Sequence, residues 1–165
     1  MDVAIIGAAG HVGFGLSLVL ADVGHIVRGI DKDETKNRQI SSGTVPFLER
    51  DAEEYLQRAL KSGRLTMTSD LSQVSNSQVI IAVIGTPIDA DLNPNMEPLI
   101  NLANQLGGLI REGQLIILRS TVSPGTTERF AAELATSSGM RPNTDFHVVR
   151  GGSGNLNRGI SGIAA

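Results

Sequence analysis

The chain has 165 residues, 41% of them hydrophobic and 3% aromatic, and a formal net charge of −3, a size that suits one domain with a substantial core. Its 14 lysines and arginines are scattered among 17 acids, and one tyrosine and four phenylalanines cannot supply base-stacking platforms, so a nucleic-acid surface is excluded. No apolar run approaches the ~20 residues of a membrane helix, and the absence of cysteine removes disulfides, thiolate metal sites and thiol nucleophiles.

The pattern then alternates between short β-rich runs and longer helical stretches. Val3–Ile6 is wholly apolar and ends in glycine, as a strand buried on both faces does. From His11 to Val23 a helix is expected, with Val12, Leu16, Val19, Leu20 and Val23 at helical spacing and Gly24 as its stop. Ile26–Ile30 reads as a second strand. Asp33–Ser42 and Arg50–Leu60 read as helices closed by Gly43 and Gly63, and Leu65–Thr68 as a third strand. Gln78–Ile84 is the plainest strand of the chain. Asn95 caps an expected helix from Met96 to Ile110 whose inner face carries Leu99, Leu102, Ala103 and Leu106. Gln114–Leu118 is a fifth strand, Ser123-Pro124 opens a helix to Ala135, and Phe146–Val149 is a sixth strand.

Strands alternating with helices imply an α/β fold: a doubly wound parallel sheet of the Rossmann kind, in the order 3-2-1-4-5-6. One such domain over residues 1–149 is expected, followed by a glycine-rich flexible tail over 150–165. The chain enters its first strand with no charged leader or cleavage site. With the missing cysteines, this points to the cytoplasm.

Function is concentrated in the turn after the first strand. Its glycines, Gly7, Gly10 and Gly13, follow a G-x-x-G-x-x-G spacing in place of G-x-G-x-x-G. A helix starts directly behind them, so bare amides and the positive end of its dipole face the crevice where strands 1 and 4 diverge, and a dinucleotide's pyrophosphate suits that place. Gly7 turns the chain, Gly10 lets phosphates approach and Gly13 lets the helix pack close. The plainer alternative is that the glycines only ease a turn. Asp31, at the end of strand 2 and 21 residues after Gly10, has the spacing of a ribose-binding acid that prefers NAD to NADP; its alternative is a cap on the helix begun by "DKDE". His25 and His147 have no carboxylate or histidine at ligand spacing, so no metal is expected.

Three further stretches, "GTVPFLERDAEEYLQRALKSGRL", "VIGTPIDADLNPNM" and "LRSTVSPGTTERF", stand in this order behind the glycine loop. Together the four resemble the N-terminal domain of the UDP-glucose/GDP-mannose dehydrogenase family over about residues 1–149, and in particular its UDP-N-acetylmannosamine dehydrogenase branch. The resemblance implies NAD as cofactor and oxidation of a nucleotide-sugar (UDP-sugar) alcohol to a uronate for polysaccharide biosynthesis, through a cysteine-bound thiohemiacetal and thioester. It implies cofactor contacts at His11 and Val12, at Asp31 and Lys36 near the adenosine ribose, at Thr86 with Pro87 stiffening its loop, and at Thr121. Read without the family, Thr86 is a loop cap and Thr121 an ST-turn.

The chain departs from the family in the longer glycine loop, in Arg50 and Asp51 where Pro-Gly is usual, and in Arg150 and Gly151 where a Pro-Glu-Arg segment follows the sixth strand. The family's catalytic cysteine, lysine and asparagine and its nucleotide-sugar domain have no counterpart, so no catalytic residue is assigned and little turnover is expected from these residues alone. A non-enzymatic dinucleotide-binding or regulatory module is the alternative. A complete small oxidoreductase is disfavoured, because no Tyr-x-x-x-Lys pair is present and Tyr55 lies on a helix away from the strand ends. A UDP-sugar is a partner only where a substrate domain is supplied, and apolar surface left open beside the sixth strand invites a homo-oligomer.

Overall fold

The computed structural model describes residues 1–47, 52–85, 95–119 and 125–151. The elements run β1 (Asp2–Ile6), α1 (His11–Asp22), β2 (Ile26–Ile30), α2 (Glu34–Ser41), α3 (Ala52–Lys61), β3 (Leu65–Thr68), a 3-10 helix (Leu71–Asn76), β4 (Val79–Ala82), α4 (Glu97–Leu106), β5 (Leu115–Leu118), α5 (Thr126–Ser138) and β6 (His147–Arg150). The strands form one sheet in the order β3-β2-β1-β4-β5-β6, every neighbouring pair parallel. This is the doubly wound α/β order expected from the alternation of elements. β6 begins and ends one residue later than expected, and the proposed tail beyond Gly151 lies outside the described residues.

Register sorts the side chains onto two faces. Val3 stands beside Val27 and Val79, and Ile81 beside Ile117, so these share one face, where Phe14, Leu18, Leu56 and Ala59 of α1 and α3 join them in one core. Ala4, Ile80, Ala82, Ile116 and Leu118 point the other way, into a second core with Leu99, Leu102 and Leu106 of α4 and Phe130 and Leu134 of α5. Each fully buried leucine or phenylalanine contributes about 1.5–3 kcal/mol, before the entropy of ordering it is set against that.

Helix α5 follows Gly125 and runs to Ser138, three residues past the expected Ala135, while Ser123 and Pro124 lie outside the described residues; two other helices differ more. Along α1 the buried positions are Gly13, Phe14, Ser17, Leu18, Leu20 and Ala21. Of the expected aliphatic set only Leu20 is buried, and Val12, Val19 and Val23 are 56%, 55% and 65% exposed. The helix is rotated because Gly13 lies against the Gly7 carbonyl, where a Cβ would collide; the seating is therefore set by the smallest residue and not by the aliphatic stripe. Helix α4 buries the expected Leu99, Leu102, Ala103 and Leu106 but stops at Leu106, short of Ile110. Gly107 is where α5 crosses closely, since a Cβ there would overlap Ser137.

Candidate dinucleotide site

At the carboxyl edge of the sheet the chain leaves β1 toward α1 on one face and β4 toward α4 on the other, which opens a crevice between the two exits. Gly7 makes the turn with φ +85°, a conformation costly for any residue with a Cβ, and its Cβ position is also occupied by the Val83 carbonyl. Its amide donates to the Ile30 carbonyl at 2.8 Å. Ala8 and Ala9 are buried; Ala8 fits because β2 has glycine opposite it, the Ala8 Cβ lying 3.0 Å from where a Cβ on Gly29 would stand.

Gly10 is different. It is the residue before α1, with φ −82° and ψ 161°, backbone open to every residue type. A Cβ built on it meets only the Gly7 carbonyl at 3.4 Å, an ordinary contact, and the position is exposed. The protein's packing accounts for Gly7 and Gly13 but not for Gly10. Directly behind, the amide of Phe14 donates to the Gly10 carbonyl at 2.8 Å and starts the helical ladder, so the amides of His11, Val12 and Gly13 precede the first i−4 acceptor. Donors without an i−4 acceptor at a helix start, beside a position where the protein's own packing does not require glycine, fit the phosphates of a dinucleotide.

The carboxylate of Asp31 braces this loop. Its Oδ2 accepts from the Ala9 amide at 2.9 Å and its Oδ1 from the Asp33 amide at 3.0 Å. The cap of α2 is Asp33, whose Oδ1 accepts from the Lys36 amide at 3.0 Å. The two aspartates thus divide the roles that the sequence left open. Asn37 Nδ2 donates to the Asp31 carbonyl at 2.8 Å and fixes the backbone below. Each carboxylate oxygen has a second lone pair, so Asp31 retains acceptor capacity toward a ribose.

His11 and Lys36 meet through a residue that the sequence reading did not single out. The Phe47 ring stacks on His11 with centroids 3.8 Å apart, meets Phe14 edge-on at 6.0 Å, and has Lys36 Nζ 5.6 Å from its centroid. Lys36 Nζ also lies 3.7 Å from Asp33 Oδ2. Ammonium, phenyl and imidazole therefore form a layer from the start of α2 to the start of α1. The signal available beforehand was a lone aromatic in "TVPF" in a chain with few aromatics, and spacing alone could not pair it with His11.

Of the expected contacts, Gly7, Gly10, His11, Val12, Gly13, Asp31 and Lys36 gather around this loop. Val12 is at the start of α1, its side chain outward. Thr86, Pro87 and Thr121 lie outside the described residues. The segments leading to them reach the same edge: the Val83 amide donates to the Ile6 carbonyl at 2.8 Å and the Arg119 amide to the Ala82 carbonyl at 2.9 Å. Among the described residues no group of three histidines or acids is set to hold a metal, and no helix is long and apolar enough to cross a membrane.

Residues 1–151 match the UDP-glucose/GDP-mannose dehydrogenase family, NAD binding domain. The chain belongs to that family. It is 30% identical over 149 residues to the UDP-N-acetyl-D-mannosamine dehydrogenase of Pyrococcus horikoshii, covering 90% of this chain and 35% of that protein. Against the UDP-glucose 6-dehydrogenase of Pseudomonas aeruginosa it is 31% identical over 130 residues, 78% of this chain and 28% of the relative. The solved GDP-mannose dehydrogenase ternary complex from Pseudomonas aeruginosa superposes with a TM-score of 0.86 at 31% identity, over 91% of this chain and 35% of that one. The chain thus spans about a third of the length of the relatives it matches.

Proposed function

We propose that this chain holds NAD at the β1–α1 turn, as the cofactor half of a nucleotide-sugar 6-dehydrogenase. The observation that carries the reading is Gly10, the loop glycine for which the protein's own packing has no need. In this reading the amides of His11 and Val12 receive the diphosphate, Asp31 accepts from the adenosine ribose, and Lys36 stands beside that ribose. Thr86, Pro87 and Thr121 are the remaining cofactor contacts of this reading. Bound there, NAD supplies the hydride acceptor for oxidation of a sugar alcohol. These 165 residues contain no cysteine, so the thioester step and the UDP-sugar itself belong to a substrate unit supplied elsewhere.

Calorimetric titration tests the reading. NAD is expected to bind more tightly than NADP, because a carboxylate at position 31 repels a 2′-phosphate. Gly10→Ala is expected to leave stability within ~0.5 kcal/mol of the parent while weakening NAD about tenfold or more. Unchanged NAD affinity in Gly10→Ala, or tighter binding of NADP by the parent chain, would overturn the assignment. With UDP-sugars and NAD the chain alone is expected to make no appreciable NADH.

A further inference from the structure

Helix α2 buries two side chains, Ile40 and Asn37, at 0% and 6% exposure. The Asn37 Nδ2 donates to the Asp31 carbonyl at 2.8 Å, while its Oδ1 is enclosed with no hydrogen-bond partner among the described residues. Reversing the amide would set an oxygen against the Asp31 carbonyl oxygen, so the donor fixes its orientation. Elsewhere the protein satisfies a buried amide in full. Gln114 donates to the Val74 and Ser77 carbonyls at 2.8 and 2.6 Å and accepts from the Arg111 amide at 2.7 Å. A buried acceptor left unpaired costs at least as much as a typical hydrogen bond returns, so an apolar side chain of similar shape would serve packing better at position 37. What Asn37 keeps at that cost is one donor aimed at Asp31.

That donor completes the hold on Asp31. Just past the end of β2, the Asp31 amide donates to the Thr68 carbonyl at 3.0 Å, and its carboxylate oxygens accept from the Ala9 and Asp33 amides. Its carbonyl belongs to the peptide that joins it to Lys32. Pinning that oxygen sets the plane of the peptide, and with it the direction in which the chain leaves toward Asp33. The Asn37 amide in turn donates to the Asp33 carbonyl at 3.0 Å. A hydrogen-bonded ring is thereby closed, from the Asp31 carbonyl to Asn37, from Asn37 to Asp33, and from Asp33 back to the Asp31 carboxylate. Of its links, the Asn37 carboxamide is the one that substitution can cut without touching the carboxylate.

We propose that Asn37 is a positioning residue for the Asp31 carboxylate and, through it, a determinant of the choice between NAD and NADP. The choice of nucleotide rests on the cofactor reading given under Proposed function; the hold on the carboxylate does not. With the Asp31–Lys32 peptide locked, the carboxylate stands fixed at the ribose position and meets a 2′-phosphate with its charge in place. Without the donor the peptide is free to turn, the carboxylate swings away from the Ala9 and Asp33 amides, and a 2′-phosphate is no longer turned away. Asn37 itself is enclosed and acts only through Asp31.

Asn37→Leu removes the donor and the orphaned acceptor together. Asn37→Ser, too short to reach the Asp31 carbonyl, removes the same donor without added bulk, so either variant that folds gives the answer. Hydrogen exchange followed by NMR on the full chain without nucleotide is the first measurement. The Ala9 and Asp33 amides are expected to exchange about tenfold faster than in the parent, relative to the Leu115 amide, which is bonded to the Gln78 carbonyl at 3.1 Å in β5. Calorimetric titration is the second. The ratio of the NADP to the NAD dissociation constant is expected to fall about tenfold from its parent value, whereas a loss of stability alone weakens both nucleotides alike. Unchanged exchange at Ala9 and Asp33, or a ratio that stays at the parent value, overturns the proposal. A parent chain that binds neither nucleotide overturns the cofactor reading and the selectivity with it, while the exchange rates still decide the hold of Asn37 on Asp31.

Discussion

The two halves of the sheet each carry three parallel strands joined by helical crossovers, two helices (α2 and α3) filling the second crossover of the first half, yet they are specialised differently. In β1–β3 the first turn is drawn tight: Gly7 against the Val83 carbonyl, Gly13 against the Gly7 carbonyl, and the Ala9 amide held by Asp31. In β4–β6 the close approach has moved to the helices, where Gly107 of the α4 end meets Ser137 of α5. The first half places its precision at the sheet edge, around the amides that open α1. The second places it in its helical layer, and among the described residues its last strand leaves Val149 exposed. Equal topology therefore does not mean equal use.

The severest way to break this contrast is Gly7→Ala. It combines an unfavourable φ with a backbone collision, and a loss of about 3 kcal/mol or more is expected in urea unfolding. A substitution that cost under ~1 kcal/mol would show the turn to be less constrained than its geometry implies. Next comes Asp31→Ala, which frees the Ala9 and Asp33 amides; the expected losses are ~1–3 kcal/mol of stability and some 30-fold or more in NAD affinity, with discrimination against NADP relaxed.

Phe47→Leu should act more gently, since it removes the ring layer between His11 and Lys36 but keeps an apolar contact to Phe14. A stability change of ~1 kcal/mol and a few-fold weaker NAD are expected, with the His11 ring protons shifting in the NMR spectrum as the stack is lost. The smallest effect sharpens the comparison by lying outside both specialised regions. The Arg141 guanidinium, 3.1 Å from Asp145, holds that carboxylate below its ordinary range. A depressed folded pKa contributes stability that is present above the unfolded value and lost as pH falls through the folded one. Asp145→Asn should remove that slight acid dependence in melting curves below about pH 4 and leave neutral-pH behaviour almost unaltered.

Much of the fold was legible because periodicity and punctuation are local. Val3–Ile6 and Gln78–Ile84 announce buried strands, Gly24, Gly43 and Gly63 stand at helix ends, and Leu99, Leu102 and Leu106 mark a true inner face. Within the candidate site, the three glycines and Asp31 were visible as spacing. What was not visible was which partner each would find, since Phe47 reaches His11 across a gap of 36 positions only once the chain is folded.

The sequence by itself determined the alternation of elements, the parallel order and the position of the glycine turn after the first strand. These follow from hydrophobic period, chain handedness and the backbone demands of glycine. Only the tertiary structure decided that Asp33 caps α2 while Asp31 braces the loop, and that Gly10 is spare where Gly7 and Gly13 are required. It also decided that Val12, Val19 and Val23 face outward. The reason is common to all three: a residue's role depends on what stands within 4 Å of it, and Val83 reaches Gly7, and Asp31 reaches Ala9, only when distant segments close on one another.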